Sequence, residues 1–438
     1  MTPPPPPARR IAWAGPWNAR SAIAAFGSLV VAELAARGHE VEVFRTETGE
    51  FLALPPRPAP GPVSPLREAV PEVLARDYDA FVVNIGDHHG HHGAAVAPLL
   101  RVPALAIFHD AFLAHLYAGW AEAEGRHSVH PAVLGAVYGP AEAEAAGPLM
   151  LPLEEMAARR PMLEWFAALA AGAVVHANHY AERTRSACPG PVDVIPLAFE
   201  GFAPPPPREI GPEDQIVVAT VGHINRNKRV ADMLRAMAES EPLQRRVRYR
   251  LIGPVELAER AALVELAGSL GVPEPDFTGW VDDAEMQRQL AAVDVLCCLR
   301  NPVLEGASAS LILAMRSGRP ELVSDHGPYA DVPDGLVLKC RPGSEAVDVR
   351  LHLEALLADP GPARAMAERA RAYAEEAFSA GRYADRLLAH LDRVTETLPV
   401  VRAGRGLGRT LAGFGMPPDD PAGGRVAAAL DDLLDRRG

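Results

Sequence analysis

Short runs of consecutive apolar residues alternate with stretches in which apolar residues recur every three or four positions. The first run is residues 11–14, and the stretch that follows it ends at Gly38. This stretch places its apolar face on Ile23, Phe26, Val30 and Leu34. The three-to-four spacing indicates an amphipathic helix, and a short unalternating run indicates a strand that is buried on both faces. Further buried strands are predicted at residues 41–44, 81–85, 104–108, 173–176 and 192–195.

The second half of the chain repeats this alternation. Apolar runs predict strands at residues 216–221, 249–252, 276–278, 294–299 and 321–324. A late helix is predicted from the spacing of Tyr383, Leu387, Leu388, Leu391 and Val394. Residues 119–172 are rich in Ala and Glu and are predicted to be largely helical. Strands that alternate with helices imply parallel, doubly wound sheets.

A run of four prolines at residues 204–207 divides the two halves. Proline neither continues a helix nor donates to a sheet ladder, so the run is predicted to be a linker. We expect an N-terminal domain at 1–203, a linker at 204–208, a C-terminal domain at 209–398 and a tail at 399–438, with the helices after Gly381 packing back toward the first domain. The tail ends in an amphipathic pattern that predicts a docked helix or a partner-binding one, on Val426, Leu430, Leu433 and Leu434.

Composition narrows the expected partners and compartment. The formal net charge is −13 and no basic patch is evident, so nucleic acid is not expected as a partner. The chain has neither an apolar signal region at its start nor a run of 18 apolar residues, so no transmembrane segment is expected. The four cysteines form no Cys-x-x-Cys pair and are expected to be small buried side chains, which favours a cytoplasmic protein.

Candidate chemistry is concentrated after the predicted strand at 216–221. No Gly-x-Gly-x-x-Gly follows the first strand and no Walker lysine loop occurs, which disfavours dinucleotide oxidoreductases, nucleotide-sugar epimerases and P-loop enzymes. Instead, the strand runs into Gly222, where a backbone without a Cβ can approach a ligand. Lys228 and Arg229 follow and can neutralise phosphate. The alternative is a solvated charge cluster at the start of a helix.

A second loop, at residues 299–310, opens a helix with small residues. Gly306, Ala307 and Ser308 leave backbone N–H groups accessible, which makes an anion site that the helix dipole strengthens. Glu305 at the lip would repel phosphate but can accept hydrogen bonds from sugar hydroxyls. One loop that offers both kinds of contact suits a sugar diphosphate. The alternative is that Glu305 is only a charge at a helix N-terminus.

The stretch from Val218 to about Val394 resembles the C-terminal domain of group 1 glycosyltransferases, the retaining, glycogen-synthase-like family. The matching runs, in order and spacing, are 222–229, 251–253, 277–281, 294–302, 305–308 and 324–327 with Pro333. The first half is similar more weakly, at 13–16, 21–24, 84–92, 109–110, His176 and Pro196. The resemblance implies the GT-B fold, in which two Rossmann-like doubly wound parallel-sheet domains face a central cleft.

The resemblance also implies roles for individual residues. Lys228 would bind the donor diphosphate and stabilise the leaving group, and Glu305 would hold hydroxyls of the donor sugar. The backbone from Gly306 through Ala307 to Ser308 would face phosphate. His109 would lie beside the reacting sugar and Asp110 would order its loop. The remaining expected substrate contacts are Gly15, Ser21, Gly222, His223, Arg226, Arg229 and Leu313.

Three positions depart from the family pattern. Leu313 stands where a second glutamate often holds the ribose, so Leu313→Glu is expected to strengthen nucleotide binding by on the order of 1 kcal/mol. His223 stands in place of a phosphate-facing arginine, for which Arg226 or Arg229 is an expected substitute. Ala22 stands in place of a glycine in the first loop, where its Cβ would crowd the diphosphate.

The run of four histidines within residues 88–92 raises the question of a metal. Two or more of them are close enough in sequence to reach one zinc ion, but transferases of the resembling kind are metal-independent. A contact to donor or acceptor, or a plain polar loop, is the preferred interpretation, and neither a metal nor a cofactor is expected.

We therefore expect a hexosyltransferase-like enzyme that moves a sugar from a nucleoside diphosphate sugar to a hydroxyl of a glycan, a lipid-linked sugar or another acceptor, with retention. The alternative is a degenerate, non-catalytic GT-B scaffold or partner protein that binds nucleotide or glycan. Lys228 and Glu305 are expected to lie in a wet cleft, so replacing either should cost little stability.

Overall fold

Two compact units make up the computed structural model, which describes residues 7–144, 151–200, 207–211, 213–416 and 425. Unit 1 contains the described residues of Met1–Val175, Ala181–Asp193 and Arg386–Gly438. Unit 2 contains those of His176–Tyr180 and Val194–Asp385. Residues 204–206 of the predicted linker and the amphipathic pattern from Val426 onward lie outside the described residues, as do 145–150 of the Ala- and Glu-rich segment.

A seven-stranded parallel sheet with strand order β3-β2-β1-β4-β5-β6-β7 forms the core of unit 1. The strands are β1 Arg10–Gly15, β2 Glu40–Arg45, β3 Val63–Pro65, β4 Ala80–Ile85, β5 Leu105–Phe108, β6 Gly172–Val175 and β7 Val192–Val194. All residues of β4 and β5 are buried, which explains why these strands read as unbroken apolar runs. The strand order reverses between β1 and β4, so the sheet is doubly wound as predicted.

Unit 2 has a six-stranded sheet in the order β10-β9-β8-β11-β12-β13. Its strands are β8 Ile216–Val221, β9 Val247–Ile252, β10 Asp276–Gly279, β11 Val295–Cys298, β12 Glu321–Ser324 and β13 Leu338–Cys340. All five pairs of neighbouring strands in this sheet are parallel. Here the order reverses between β8 and β11, and this is the point at which open α/β sheets bind ligands.

The helices connect the strands in chain order. In the first part of the chain they are α1 Ala22–Ala36, α2 Gly49–Ala53, α3 Pro71–Asp77, α4 His89–Arg101, α5 Ala114–Ala123, α6 His130–Tyr138, α7 Leu153–Arg159, α8 Leu163–Ala168 and α9 Ala181–Ala187. They continue as α10 Val230–Ala238, α11 Glu241–Arg246, α12 Leu257–Leu270, α13 Asp283–Ala291, α14 Ala309–Arg316, α15 Glu345–Ala358, α16 Gly361–Ala377 and α17 Ala380–Gly413. Among the described helices, none combines the length and apolarity needed to cross a membrane.

The last helix is longer than the sequence pattern indicates. It begins in unit 2, belongs to unit 1 from Arg386 onward, and continues through Pro399, where the sequence predicts a tail. Tertiary contacts explain the extension: Arg405 Nη2 donates to the carbonyls of Leu99 and Leu169 at 2.9 and 2.8 Å. These bonds satisfy carbonyls at or near the C-terminal ends of α4 and α8 and outweigh the helix-breaking tendency of proline.

Candidate functional site

Two loops meet at the carboxyl edge of the unit 2 sheet, where the strand order reverses. One follows β8 at residues 222–229 and the other follows β11 at residues 299–308. The N–H of Asn301 donates to the carbonyl of Asn227 at 2.8 Å, so the loops are joined by their backbones. The topology therefore brings together the two segments that the sequence singled out separately.

Gly222 lies at the centre of this edge. Its φ of +97° is a conformation that favours glycine. A Cβ added there would lie 3.2 Å from Lys228 Nζ and 4.0 Å from Ser310 Oγ. Gly253, at the end of β9, packs so closely on it that an added Cβ would be 2.2 Å from the Gly222 carbonyl oxygen. Gly222 thus leaves a space beside the lysine amine that a larger residue would fill, and Gly253 lets the two strand ends approach closely.

Lys228 closes the short 3-10 turn Arg226–Lys228, and its side chain folds back against β8. The residue is only 6% exposed, and Nζ donates to the Val221 carbonyl at 2.6 Å. The pKa of Lys228 is lowered to about 7, chiefly by burial and then by the charge of Arg300, and attraction to Glu305 partly opposes these two effects. The expectation that Lys228 lies in a wet cleft is wrong, because the fold has withdrawn most of the side chain from water.

Glu305 lies within the electrostatic reach of Lys228 and is part of a hydrogen-bonded cluster. Its Oε1 accepts from Arg300 Nε at 2.9 Å and from the Tyr329 hydroxyl at 3.1 Å. Although burial alone would raise the pKa of Glu305, Arg300, these hydrogen bonds and Lys228 hold it below the ordinary value. The side chain remains 21% exposed, so the carboxylate is charged, fixed in place and open to a ligand.

The cations expected to replace the missing arginine at His223 are engaged elsewhere. His223 itself is exposed. Arg226 is exposed and lies 3.5 Å from a Glu259 oxygen. Arg229 has a left-handed backbone with φ of +54°, and its Nε donates to Asp232 at 2.5 Å. Both arginines therefore have carboxylate partners, and Lys228 lies nearest to the glycine-lined space.

Ser308 begins α14 as its N-cap: its hydroxyl accepts from the Leu311 N–H at 3.2 Å. This bond satisfies the N–H of Leu311 in the first turn of α14. Gly306 is buried and Ala307 is partly buried on the same loop.

Leu313 lies on the face of α14 that packs into the core, and it is 8% exposed. Its apolar cluster contains Ala219, Val221, Ile252, Leu290, Val293, Leu296 and Ala314. The expectation that Leu313→Glu strengthens nucleotide binding is therefore wrong in its premise, because the new carboxylate would enter an apolar cluster. A buried unpaired charge costs several kcal/mol, which exceeds the gain from one hydrogen bond.

In unit 1, Asn84 connects the strand ends that the sequence placed near the reacting sugar. Its Nδ2 donates to the Ala14 carbonyl at 3.0 Å, and its Oδ1 lies 3.0 Å from His109 Nε2. A Cβ on Gly15 would lie 3.2 Å from this amide. His109 is buried and contacts the Phe26 ring edge-on at a centroid distance of 4.9 Å. Gly15 and His109 are thus brought together.

Ser21 and Asp110 organise loops at the same sheet edge. The Ser21 hydroxyl accepts from the Ala24 N–H at 3.2 Å, so Ser21 is the N-cap of α1. Asp110 Oδ2 accepts from the Asp87 N–H at 2.8 Å and fixes the loop after β4. Ala22 is exposed as the first residue of α1.

Glu47 is a buried carboxylate that sequence reasoning missed. Its Oε1 accepts from the N–H groups of Trp17 and Asn18 at 2.7 and 2.8 Å, and Arg45 lies 3.3 Å away. It therefore holds the loop after β1 from a position two residues beyond β2. The only signal in the sequence was a charged pair, Arg45 and Glu47, directly after an apolar strand.

The histidines of the 88–92 run have separate partners. His91 Nδ1 lies 3.2 Å from Asn18 Nδ2, and His92 Nδ1 lies 3.0 Å from the Asn84 carbonyl. Burial lowers the pKa of His92 to about 3, so its ring is neutral. Within the part of the chain that the structure describes, no three His, Cys, Asp or Glu side chains are grouped to hold a metal ion.

Asp87 and His115 form a further pair that the sequence did not predict. Asp87 Oδ1 accepts from the N–H groups of His115 and Leu116 at 2.9 and 3.0 Å, so it caps the start of α5. Its Oδ2 lies 2.6 Å from His115 Nδ1.

The unit 2 site lies within a part of the chain that matches a known protein family. Residues 207–373 match the family model described as glycosyl transferases group 1. This span includes both loops of the unit 2 site, with Lys228, Arg300 and Glu305. No curated protein sequence matches the chain.

Solved structures show the same fold over nearly the whole chain. HepE of Anabaena in complex with UDP has 15% identity and a TM-score of 0.58, with 87% of this chain and 99% of HepE covered. Its complex with UDP-glucose has 16% identity and a TM-score of 0.57, covering 88% and 99%. Sucrose-phosphate synthase from Thermosynechococcus elongatus has 17% identity and a TM-score of 0.56, covering 88% and 99%. The predicted fold class, two parallel-sheet α/β domains of the GT-B type, is confirmed.

Proposed function

We propose, from the match of residues 207–373 to the family model for group 1 glycosyl transferases, that this chain transfers a glycosyl unit from a nucleoside diphosphate sugar to an acceptor hydroxyl with retention at the anomeric carbon. The acceptor would be a glycan, a lipid-linked sugar or another hydroxyl compound. The reaction as proposed uses neither a cofactor nor a metal ion.

The observation that carries the proposal is the position of the Lys228 amine. It lies beside Gly222 at the carboxyl edge of the sheet and near Ser310 in the first turn of α14. A cation, a glycine-lined space and a helix N-terminus converge where open α/β sheets bind ligands. This arrangement suits a diphosphate whose negative charge grows as the glycosidic bond breaks.

Lys228 would act mainly in the transition state. Its pKa of about 7 leaves the free protein with a partly neutral amine near neutral pH. Negative charge developing on the departing phosphate favours the ammonium form, so the interaction strengthens as the bond breaks. In a site with little water, this differential stabilisation is larger than it would be at an exposed surface.

Glu305 fits the role of an acceptor for sugar hydroxyls better than that of a general base. A base that acts near neutral pH needs a raised pKa, whereas the Arg300 pair and hydrogen bonds keep that of Glu305 below its usual range. We propose that the departing phosphate oxygen takes the proton of the acceptor hydroxyl, which requires no separate protein base and accounts for retention.

UDP-glucose is the first donor to test, since HepE, which shares the fold, was crystallised with UDP and with UDP-glucose. UDP-, GDP- and ADP-sugars would be compared by thermal shift and then by donor consumption with and without sugar acceptors. We expect one nucleotide series to raise Tm and its donor to be consumed. Binding without consumption of any donor would instead indicate the non-catalytic scaffold.

A further inference from the structure

Arg300 is held rigidly in the loop that follows β11, two residues beyond the last residue of the strand. Its N–H donates to the Ser324 hydroxyl at 3.0 Å, and its carbonyl lies 2.5 Å from His326 Nε2. Ser324 ends β12, the neighbouring strand. The backbone of Arg300 is thus tied to the adjacent strand end on both sides, and its side chain starts from a fixed position.

The guanidinium group of Arg300 is buried and divides its bonds between two acceptors. Nη1 donates to the Leu299 carbonyl at 2.8 Å, and Nε donates to Glu305 Oε1. Tyr329, which is fully buried, donates its hydroxyl to the same oxygen. Oε1 therefore has two donors, while Oε2 accepts from the N–H of Leu304 at 3.3 Å, a long and weak bond.

The ion pair between Arg300 and Glu305 affects the charge of the site, because both residues lie within electrostatic reach of Lys228. Its amine is influenced by the cation Arg300, the carboxylate Glu305 and the buried thiols of Cys297 and Cys298. Burial raises the pKa of both thiols, so they are neutral near pH 7. Without Arg300, Glu305 would be left with Lys228 as its cationic neighbour, and an ion pair between them would cancel the positive charge of the site.

We propose that Arg300 is a positioning residue of the transfer reaction: it holds Glu305 through Oε1 so that Oε2 faces the donor hydroxyls, and it keeps Glu305 from pairing with Lys228. This inference rests on the proposed function. Arg300 has two separable properties, its charge and its planar fork, and two substitutions distinguish them.

Arg300→Gln removes the charge. Glu305 then pairs with Lys228, and UDP binding weakens by about tenfold or more, as loss of a charge-assisted contact does. Because the repulsion from Arg300 is lost and an attraction is gained, the alkaline limb of kcat/KM for UDP-glucose hydrolysis moves to higher pH, by about one unit. A role confined to stability would lower Tm without moving this limb.

Arg300→Lys keeps the charge but loses the fork that bonds Glu305 and Leu299 together. UDP affinity and the alkaline limb stay near those of the wild type, while kcat for donor hydrolysis falls by about tenfold because Glu305 is no longer aligned. Tyr329→Phe, which removes the other donor to Oε1, lowers kcat in the same direction with UDP affinity unchanged.

Arg319→Lys is the matched control, since Arg319 is also a buried arginine of unit 2 that bonds backbone carbonyls, namely those of Val293, Ser317 and Ala291. It is expected to lower Tm and to leave UDP affinity and the pH profile unchanged. The measurements are calorimetric UDP titration and UDP-glucose hydrolysis from pH 6 to 9 on the full chain.

The outcomes separate this inference from the proposed function. A wild type that neither binds UDP nor hydrolyses UDP-glucose, and responds to no other donor, contradicts the proposed function. An active wild type whose Arg300 variants share its UDP affinity, kcat and pH profile overturns the positioning role. Should Arg300→Gln fail to fold, unchanged kcat in both Arg300→Lys and Tyr329→Phe overturns it equally.

Discussion

The sequence predicts that Lys228 is a phosphate ligand, but it does not predict the burial or the pKa of this side chain. Its position after a strand-end glycine marked it as a phosphate ligand, but the bond from Nζ to the Val221 carbonyl and the burial of the stem come from the return of the loop onto β8. That return depends on contacts between loops far apart in sequence. The resulting pKa near 7 makes Lys228 both a candidate catalytic group and a cost to folding.

The folding cost can be measured with Lys228→Met. The pKa of Lys228 is about 7 in the folded chain and that of an unfolded lysine is about 10.4, so between these values the unfolded chain binds more protons. Its contribution to the unfolding free energy therefore rises with pH across this window. We expect Lys228→Met to be more stable than the wild type at pH 6, by on the order of 2 kcal/mol, with a smaller gain at pH 10.

Urea denaturation of both proteins at pH 6, 8 and 10 tests this, because every other titrating group is common to the two. A difference that does not change with pH would mean that Lys228 has an ordinary pKa in the folded protein.

The same pKa predicts the pH dependence of activity. If the ammonium form is needed at the leaving phosphate, kcat/KM for the donor is highest below about pH 7 and falls as Lys228 deprotonates. A bound diphosphate stabilises the ammonium, so the limb for kcat should lie at higher pH than that for kcat/KM. Initial rates from pH 5.5 to 9.5 measure both limbs, and coincident limbs would contradict this assignment.

Glu305 contributes to the site and to stability together, contrary to the expectation from the sequence. Glu305→Gln leaves the buried Arg300 without its counter-ion, so we expect the unfolding free energy to fall by on the order of 1–2 kcal/mol. UDP affinity at pH 6, where Lys228 is protonated, should stay within a few-fold, while kcat for donor consumption falls by about tenfold or more. A large loss of UDP affinity with kcat unchanged would place Glu305 at the nucleotide and not at the sugar.

At the scale of elements, α14 was predicted correctly in its preceding loop but not in the side chain that faces the core. The loop before the helix was recognised from its small residues and from family spacing, but Leu313 was assigned to the ligand because the family often has glutamate there. The structure places this side chain in the apolar cluster beneath the helix. One face of α14 packs on the core and another faces the loop. The packing of α14 on β8, β9 and β11 decides which of its residues lie on the core face.

Leu313→Glu tests that placement. Burying a carboxylate among these residues should lower the unfolding free energy by about 3 kcal/mol or more. Leu313→Met, which conserves volume and polarity, should cost less than about 1.5 kcal/mol. Equal stability of Leu313→Glu and the wild type, together with tighter UDP binding, would restore the ribose assignment.

The central strands followed the sequence, as did the edge strands β7 and β10, whereas the edge strands β3 and β13 were not predicted. The apolar runs of β1, β4, β5 and β8 are buried on both faces, and this is the condition under which a run is informative. The missed strands β3 and β13 have the sequences Val-Ser-Pro and Leu-Lys-Cys, so neither contains a run of consecutive apolar residues. Glu47 was missed for another reason, since its partners Trp17 and Asn18 are about thirty residues away.

Considered as a whole molecule, the chain has two parallel sheets, and the candidate donor site lies at the carboxyl edge of the second. The family match covers residues 207–373, which lie in unit 2. Unit 1 has its own polar cluster at the ends of β1, β4 and β5, around Asn84 and His109. The domain limits expected from the proline run, and the donor, acceptor and stereochemistry, remain predictions.

The most direct test of the central claim is donor consumption by the wild type and Lys228→Ala, followed by proton NMR with UDP-glucose or whichever donor binds in the screen. The spectrum reports both the rate and the anomer of the sugar first released. We predict that the wild type releases sugar with the anomeric configuration of the donor, and that Lys228→Ala is slower by roughly a hundredfold or more although it folds. Equal rates for the two proteins would contradict the role of Lys228, and release of the opposite anomer would contradict retention.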